Sequence, residues 1–167
     1  MTEQVPDSCT FDGRRWCIDE WNGPFNAIPS NEILGLRTTS PHTANWRGRI
    51  DHFMVHRDVL YLFKIEATLS LADMPRLPTS ARREVVKRHV PLEVCDAGGS
   101  RNEISIERYD FFIFDNLVIP FSGKLYLSYP YFDYWEVPWP IKDSDEGITD
   151  KIILAFDRGA FIGKWPR

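Results

Sequence analysis

The sequence is poor in cysteine, with only Cys9, Cys17 and Cys95 among its 167 residues. An odd number of cysteines without regular spacing does not make a disulfide framework, so a disulfide-stapled secreted domain is not expected. Reduced thiols are typical of the cytosol, and we predict a cytoplasmic protein. Cys17 or Cys95 could act as a nucleophile only if a neighbour lowered the pKa of its thiol.

Long apolar runs are also missing. No run approaches the roughly 20 residues that a membrane-spanning helix needs. The N-terminal stretch MTEQVPDSCTFDGRRW has no apolar segment of the kind found in a signal peptide. The sequence therefore predicts neither a signal peptide nor a membrane partner.

Positive charge is the scarcer sign, since 20 Lys and Arg residues stand against 24 Asp and Glu residues, for a net charge of −4. Affinity for phosphate backbones needs a cationic field, so nucleic acid is not an expected partner. The imbalance is local, because residues 121–150 contain two lysines and six acids, and 2 − 6 = −4. An acidic region of this kind suits a basic protein partner.

The signatures of common enzyme classes are absent from the sequence as well. It contains no Gly-x-Ser-x-Gly elbow, no phosphate-binding loop and no dinucleotide fingerprint. His56-Arg57-Asp58 matches the catalytic triplet of protein kinases, but the other kinase motifs are missing, and we attribute the match to chance. We predict no catalytic residue and no cofactor, and an enzyme is the less favoured interpretation.

One weaker catalytic possibility stays open. Asp110 or Asp115 could pair with Glu66 or Glu107 as the two carboxylates of a glycosidase, although any strand-rich protein offers such pairs.

No metal site is predicted. His52 and His56 fall on one face of a proposed strand but too far apart to share one ion, and we interpret them as surface histidines beside a turn. Residues 143–150 have the composition of a calcium loop, but their acids lack the spacing of an EF-hand. A solvated acidic loop is the favoured interpretation of that segment.

Apolar and aromatic residues, in contrast, are plentiful. Hydrophobic residues make up 43% of the chain and aromatic residues 14%, including six tryptophans. A chain of this length can bury most of its surface around one core. We therefore predict a single domain over residues 1–167, with residues 1–8 as a loose tail.

The strongest secondary-structure signal is a β-hairpin. Residues 48–55 form its first arm, residues 56–58 its turn and residues 59–68 its second arm, where an apolar run gives way to alternation. Further strands are predicted from short apolar or alternating runs between turn residues. They lie at residues 16–18, 104–114, 123–132, 151–156 and 160–165.

One helix is predicted over residues 78–91, PTSARREVVKRHVP, with an apolar stripe on one side and a solvated basic face on the other. Thr79 or Ser80 can cap its start, and Pro91 must end it. About seven strands to one helix predict an α+β, mainly β fold. We expect a twisted antiparallel sheet, as a sandwich or partial barrel, with one short helix.

The most unusual stretch is LYLSYPYFDYWEVPWP, residues 125–140. Its first residues alternate and should form a strand that feeds the core, whereas prolines prevent regular pairing further on. Tyr and Trp rings on a proline-braced segment make good binding anchors, and a loop packed back over the core is an equally open interpretation. The partner-binding residues predicted from this stretch and the acids after it are Tyr129, Tyr131, Asp133, Tyr134, Trp135, Glu136, Trp139, Asp143, Asp145 and Glu146.

Three short motifs resemble a family of small uncharacterised bacterial proteins. Residues 43–48, TANWRG, are similar to the Thr-Ala-x-Trp-Arg-Gly stretch that precedes a hairpin in that family, and residues 60–62, LYL, to its second arm. Residues 119–125, IPFSGKL, resemble its Ile-Pro-x-x-Gly-x-Leu segment. The resemblance covers about residues 36–162 and carries over no catalytic residue. It implies an immunity protein, since small acidic bacterial proteins of this kind often block a toxin.

Our leading hypothesis is therefore a protein-binding module of the immunity type, which neutralises a bacterial toxin by occluding a basic site. The protein could be a monomer or a small homo-oligomer. The alternative is a small-molecule or glycan-binding protein, or a hydrolase, whose pocket is lined by the same rings. A structural subunit of a larger assembly is a third possibility.

Overall fold

The computed structural model describes residues 6–24, 27–34, 36, 38, 48–68, 81–96, 98–131 and 150–167. The described chain contains nine β-strands and one short helix. The strands are β1 (Ser8–Phe11), β2 (Arg14–Asn22), β3 (Arg49–His56), β4 (Val59–Ala67), β5 (Ala81–Asp96), β6 (Gly99–Val118), β7 (Gly123–Tyr129), β8 (Asp150–Asp157) and β9 (Ala160–Pro166), and the helix is α1 (Asn31–Leu34).

Seven of these strands close into a barrel. The strand order is β3-β1-β2-β7-β8-β9-β4, and β4 pairs again with β3. Every pairing around the barrel is antiparallel except the parallel pair β1–β3. The seam between β9 and β4 is a single bridge from Val59 to Ala160, after which β6 takes the place of β9 beside β4. The sheet therefore branches at β4, and β6 and β5 extend from the barrel wall.

Tight turns set the register of three strand pairs. In each turn both residues have positive φ, as a type I′ hairpin turn requires. The turns are Asp12-Gly13, Arg57-Asp58 and Arg158-Gly159. The second confirms the predicted hairpin of β3 and β4, and the third joins β8 and β9, which correspond to the strands predicted at residues 151–156 and 160–165.

The barrel interior is filled with side chains, as expected for a barrel of this size. Phe53, Leu60, Leu62, Ile65, Leu125 and Leu127 are fully buried there. The Trp21 ring forms T-shaped contacts with Phe53 and Phe121 at centroid distances of 4.9 and 5.0 Å. A mainly β, closed and strongly curved sheet with one short helix confirms the predicted fold class.

The position of the helix was predicted wrongly. Described residues from Ala81 onward form β5, a strand that pairs with β6 along its whole length, from Ala81–Phe114 to Asp96–Gly99. The only described α-helix, α1, lies earlier in the chain, and the Ser30 hydroxyl accepts the Ile33 N–H at its start, 3.3 Å away. Tertiary pairing has overridden the helix propensity of the Arg- and Lys-rich sequence.

The predicted N-terminal tail is also wrong at its last residues. Ser8 begins β1 and is fully buried. Asp7 accepts the Asp51 N–H through its carboxylate and the Ile18 N–H through its backbone carbonyl, both at 2.9 Å. These contacts attach the chain from Asp7 onward to β2 and β3.

Among the described residues, no helix has the length and the apolar composition needed to cross a membrane.

Candidate functional site

Of the ten predicted partner-binding residues, Tyr129 and Tyr131 lie in the described chain. The other eight, Asp133, Tyr134, Trp135, Glu136, Trp139, Asp143, Asp145 and Glu146, lie outside the described residues. So do the motif residues 43–47. The described part of the site is therefore the place where the acidic, aromatic segment, residues 132–149, leaves and rejoins the barrel.

Tyr129 ends β7 directly opposite Asp150, the first residue of β8. Its ring packs against Trp16 at a centroid distance of 5.3 Å, and the Arg14 guanidinium lies 5.2 Å from the ring centroid. Arg14 also forms a salt bridge of 3.0 Å with Asp150. Arg14 on β2 thus contacts the residues that flank the segment on both sides, Tyr129 and Asp150.

Tyr131 continues this attachment one step further. Its backbone N–H donates to the Arg15 carbonyl at 3.1 Å, and its hydroxyl donates to the Pro6 carbonyl at 3.4 Å. The Arg15 guanidinium lies 4.0 Å from the Tyr131 ring centroid, a close cation–π contact. Tyr131 is partly buried, so this residue is built into the barrel wall.

A buried polar network lies beneath Tyr131 on the outer face of the barrel. The Ser8 hydroxyl is 2.6 Å from His52 Nδ1, and His52 Nε2 is 2.9 Å from a Glu66 carboxylate oxygen. Arg15 donates to His52 Nδ1 at 3.0 Å, and Lys64 donates to Glu66 at 2.8 Å. Strand register explains the cluster, since Ser8 pairs with His52 across β1 and β3, and His52 pairs with Lys64 across β3 and β4.

The hydrogen bonds define the protonation of His52. Arginine can only donate, so Nδ1 must accept, and the proton of the neutral ring then lies on Nε2 and is donated to Glu66. Burial lowers the pKa of His52 below its usual 6.5, and the neighbouring cations Lys64 and Arg15 act in the same direction against Glu66. The imidazole is therefore neutral at physiological pH.

Glu66 is ionised within this network. Burial alone would raise its pKa, but the hydrogen bond from His52 and the charge of Lys64 outweigh burial and lower the pKa from 4.5 to about 2. The network therefore combines a neutral histidine, one carboxylate and two cations.

Ser8, His52 and Glu66 have the composition of a hydrolytic triad. A nucleophile must reach its substrate, and Ser8 is fully buried with Arg15 Nε also donating to its oxygen at 3.3 Å. His52 and Glu66 are likewise only 1% and 3% exposed. These polar groups satisfy one another's hydrogen bonds, and the network links β1, β2, β3 and β4 beneath Tyr131.

His52 was predicted to be a surface histidine, and that prediction is wrong. A register shift between His52 and Phe53, at a bulge of Phe63 in β4, aligns His52 with Lys64. The rings of Phe63 and Tyr131 each lie 6.2 Å from the His52 ring. The sequence carried one usable signal, since His52, Lys64 and Glu66 fall on matching faces of the predicted hairpin. His56, in contrast, is exposed beside the turn as predicted.

The carboxylates considered for a glycosidase pair are partly engaged elsewhere. Asp110 is 3% exposed and accepts a hydrogen bond of 2.8 Å from Arg83 Nε. Glu66 belongs to the network above, and Asp115 is exposed. Burial raises the pKa of the Cys9 thiol to about 12, so this cysteine is not a thiolate nucleophile. Among the described residues no group of three or more His, Cys, Asp or Glu side chains could hold a metal ion.

A second feature stands apart from the barrel. β4 pairs with β6 only from Val118 back to Asp110, whereas β5 and β6 stay paired as far as Asp96 and Gly99. From Asp110 back to Gly99, β6 pairs only with β5 among the described residues, and the two strands form a two-stranded ribbon. Two isoleucines of this ribbon, Ile104 and Ile106, are 73% and 63% exposed.

Comparison with known proteins returns no relative. No protein-family model matches the chain, and no curated protein and no solved structure matches it either.

Proposed function

We propose that this chain is a protein-binding module, and that it acts in the cytoplasm as an immunity-type inhibitor which neutralises a bacterial toxin by covering a basic site. The observation that carries the proposal is the direct pairing of Tyr129 with Asp150. The chain between them starts and ends at one point of the barrel, and long insertions between strands often carry binding residues.

Charge supports the choice of partner. Residues 132–149 contain Lys142 against Asp133, Glu136, Asp143, Asp145 and Glu146, and 1 − 5 = −4. A concentrated negative charge speeds association with a positive surface and discriminates against acidic ones. A toxin that acts on nucleic acid needs such a positive surface to hold phosphates, and an acidic inhibitor can cover it.

The attachment of the segment supports the choice of mechanism. Arg14, Trp16 and Arg15 hold Tyr129 and Tyr131, and Arg14 holds Asp150 as well. Fixing both ends reduces the conformational entropy that binding must remove, which favours a tight complex. Tyr and Trp rings in the segment are suitable anchors at the centre of the interface.

The experiment is a capture of partners from the native cells with tagged protein, followed by affinity measurement on the protein recovered. We expect one specific partner with a basic active site, whose toxicity is suppressed by co-expression of this chain. Trp135→Ala or Trp139→Ala should weaken the complex by about 2 kcal/mol or more if these rings are anchors.

Trp165→Ala is the matched control, because Trp165 is a tryptophan that is 47% exposed and lies on β9, outside the segment. It should leave the affinity unchanged. For the charges, Asp143→Asn with Asp145→Asn should slow association. Asp58→Asn in one hairpin turn with Asp157→Asn at the end of β8 should not. Recovery of no specific protein, or equal effects of the segment and control variants, would refute the proposal.

A further inference from the structure

The outer face of the barrel carries a row of three apolar side chains on neighbouring strands. Strand register places Tyr126 of β7 opposite Ile153 of β8, and Ile153 opposite Trp165 of β9, so the three share one face of the sheet. Leu127 and Leu154, the next residues along β7 and β8, are fully buried in the barrel interior, so the row faces outward. We call Tyr126, Ile153 and Trp165 the outer row. Trp165 is 47% exposed, and the other two are partly buried.

The indole of Trp165 lies on the sheet instead of projecting from it. A Cβ atom at Gly163, two residues earlier on β9, would lie 2.5 Å from ring carbon Cη2 and 2.9 and 3.1 Å from its two ring neighbours, Cζ2 and Cζ3. Nearly equal distances of this kind place the missing atom over the ring face, because an approach to the ring edge would leave the two outer carbons much farther away. One face of the indole therefore packs on the backbone at Gly163, and the exposed part of the side chain is its opposite face.

A fixed pair of charged side chains lies beside the outer row. A register shift of β2 against β7 leaves Asp19 without an opposing residue, and bulges of this kind often re-aim a side chain at a functional site. The Asp19 carboxylate accepts hydrogen bonds from the Ser128 hydroxyl at 2.8 Å and from the Arg167 guanidinium at 2.7 Å. The guanidinium carbon of Arg167 also lies 5.3 Å from the Tyr126 ring centroid. Both charged side chains are thus held in place, yet they remain 31% and 35% exposed.

Charges around the outer row nearly cancel. The register places Glu20 at the end of the row, Lys124 on one side of it and Lys151 on the other. Together with Asp19 and Arg167 these residues carry 3 − 2 = +1. Such a surface gives no strong attraction to a polyanion or to a highly charged protein. An uncharged ligand fits it best.

The outer row is too small for a stable protein interface. Such interfaces cover about 800 Å² on each partner. A large aromatic side chain buries about 150–250 Å² when it is fully covered, and here one half-exposed indole stands beside two side chains that are already partly buried. A flat ring bordered by hydrogen-bonding groups suits a narrow, polar ligand instead.

We propose that the outer row binds a neutral oligosaccharide, with one pyranose ring stacked on the open face of Trp165 and a neighbouring sugar bonded to Arg167 and Asp19. The C–H groups of a pyranose form an apolar face that packs on an aromatic ring. Its hydroxyls both donate and accept, so they match a guanidinium, which only donates, and a carboxylate, which only accepts. Because Ser128 and Tyr126 already hold these two groups, binding has less side-chain freedom to remove.

The ligand must be longer than one sugar. Tyr126, against which Arg167 packs, lies two strands away from Trp165, which is about 10 Å at the usual strand spacing. Ile153 lies between them and provides an apolar surface under the chain of sugars. A monosaccharide therefore reaches the indole or the Asp19–Arg167 pair, but not both.

Isothermal titration calorimetry of the purified full chain with cellotetraose, chitotetraose and maltotetraose tests the proposal. At least one of these neutral tetrasaccharides should bind with a dissociation constant between about 10 µM and about 1 mM. Glucose should bind at least about tenfold more weakly, because it makes only one of the two contacts. Binding of none of the three, or stronger binding of the acidic tetragalacturonate, would overturn the inference.

Variants of β9 test the stacking contact. Trp165→Ala should raise the dissociation constant of the bound tetrasaccharide about tenfold or more, whereas Trp165→Phe keeps an aromatic ring and should raise it less. Gly163→Ala should also weaken binding, since the new Cβ atom displaces the indole from the sheet, and it should barely change the free energy of unfolding because the exposed ring can move. Lys164→Gln is the matched control, because that side chain contacts Asp12 and should not affect binding. Unchanged binding in Trp165→Ala, or an equal loss in Lys164→Gln, contradicts the site.

A second pair of variants tests the polar contact. Arg167→Gln should raise the dissociation constant about threefold to tenfold, because one charge-assisted hydrogen bond is lost. Arg82→Gln changes another exposed arginine that pairs with an acid, on β5, and should have no effect. A second copy of the chain is the competing occupant of this face. Sedimentation velocity that shows a dimer which Trp165→Ala dissociates would therefore overturn the oligosaccharide site.

The oligosaccharide site does not depend on the proposed toxin complex, because the outer row lies outside residues 132–149. Trp165→Ala should lose sugar binding and keep its affinity for the toxin. Failure of sugar binding beside an intact toxin complex overturns only the oligosaccharide site, and the reverse result overturns only the proposed function.

Discussion

β6 allows a comparison of two environments on one face of one strand. Its even-numbered residues Phe112 and Phe114 are 0% and 4% exposed in the barrel wall, whereas Ile106 and Ile104, farther along the same face, are 63% and 73% exposed. The strand geometry and the apolar character are the same in both halves. What differs is the opposing layer, since the barrel interior covers the first pair and the described chain leaves the second pair open. An alternating apolar pattern therefore identifies a contact face, but not whether the contact lies within the chain or with a partner.

The largest expected effect separates these two halves of β6. Phe112→Ala should destabilise the protein by about 3–5 kcal/mol, because it leaves a cavity in a fully enclosed core. Ile106→Ala should change the free energy of unfolding by no more than about 0.5 kcal/mol in the monomer. Urea denaturation of both variants at low protein concentration measures the difference. Similar losses for both would mean that the ribbon face is part of the core.

The next largest loss of stability is expected at Asp110, where β6 passes from the barrel wall into the ribbon. Asp110 accepts hydrogen bonds from Arg83, whose side chain is 37% exposed, so solvent screening reduces the strength of the pair. Asp110→Asn should cost about 1–2 kcal/mol, mostly through lost charge-assisted hydrogen bonds. Glu84→Gln, which disrupts the exposed pair with Arg82 at 3.6 Å, should cost less than about 0.5 kcal/mol. Chemical denaturation at neutral pH compares the two.

The barrel, unlike the ribbon, should respond to mild acid through His52. Because burial lowers the pKa of folded His52 below 6.5, the unfolded chain binds a proton first as the pH falls. The free energy of unfolding should therefore decrease below about pH 6.5, by at most about 1.4 kcal/mol per pH unit from this one group. Glu66 adds a further loss only below pH 4.5, as the pH falls towards its lowered pKa of about 2.

The control for this pH dependence is the exposed histidine of the same hairpin. His56→Gln should retain the decrease between pH 6.5 and pH 5, whereas His52→Asn should be less stable at neutral pH and lack most of it. Denaturation midpoints measured across that range test the assignment. A wild-type profile that is flat over this range would contradict a neutral, buried His52.

The smallest loss of stability is expected at Tyr131, directly before the acidic segment. Tyr131→Phe removes only a long hydrogen bond of 3.4 Å to the Pro6 carbonyl and keeps the ring over Arg15, so it should cost about 0.5 kcal/mol or less. Tyr131→Ala removes the ring and should cost more, by about 1 kcal/mol, through loss of the cation–π contact. Thermal denaturation of the two variants ranks ring against hydroxyl.

Much of the barrel could be predicted from the sequence because its signals are local. Alternation and turn chemistry define the β3–β4 hairpin at Arg57-Asp58 and the β8–β9 hairpin at Arg158-Gly159. The strand from Gly123 to Tyr129 also follows from alternation and from the glycine at its start. At Gly123, φ is 149° and a Cβ atom would clash with the Asn22 carbonyl oxygen, so only glycine fits. The alternation and turn signals act between near neighbours and are visible in the residue order, whereas the clash that excludes a side chain at Gly123 comes from Asn22, which is distant in sequence.

The prediction of a helix at β5 shows where local signals are insufficient. Arginine and lysine favour helices, and Thr79, Ser80 and Pro91 match helix-boundary rules. The same segment is rich in valine and pairs residue by residue with β6, and Pro91 is tolerated because β5 is an edge strand. Helix propensity differs by only tenths of a kcal/mol per residue, so a long pairing partner outweighs it.

The buried network shows a second kind of limit. Ser8, Arg15, His52 and Glu66 come from four different strands, and a register shift at Phe63 brings the last two into contact. The sequence alone determined a mainly β domain, its hairpins, and an acidic, aromatic segment of net charge −4. The tertiary structure decided which polar residues are buried and which apolar residues are exposed. The physical reason is that burial depends on strand pairing between distant residues, and one bulge or one missing neighbour changes the environment of a side chain without changing its local pattern.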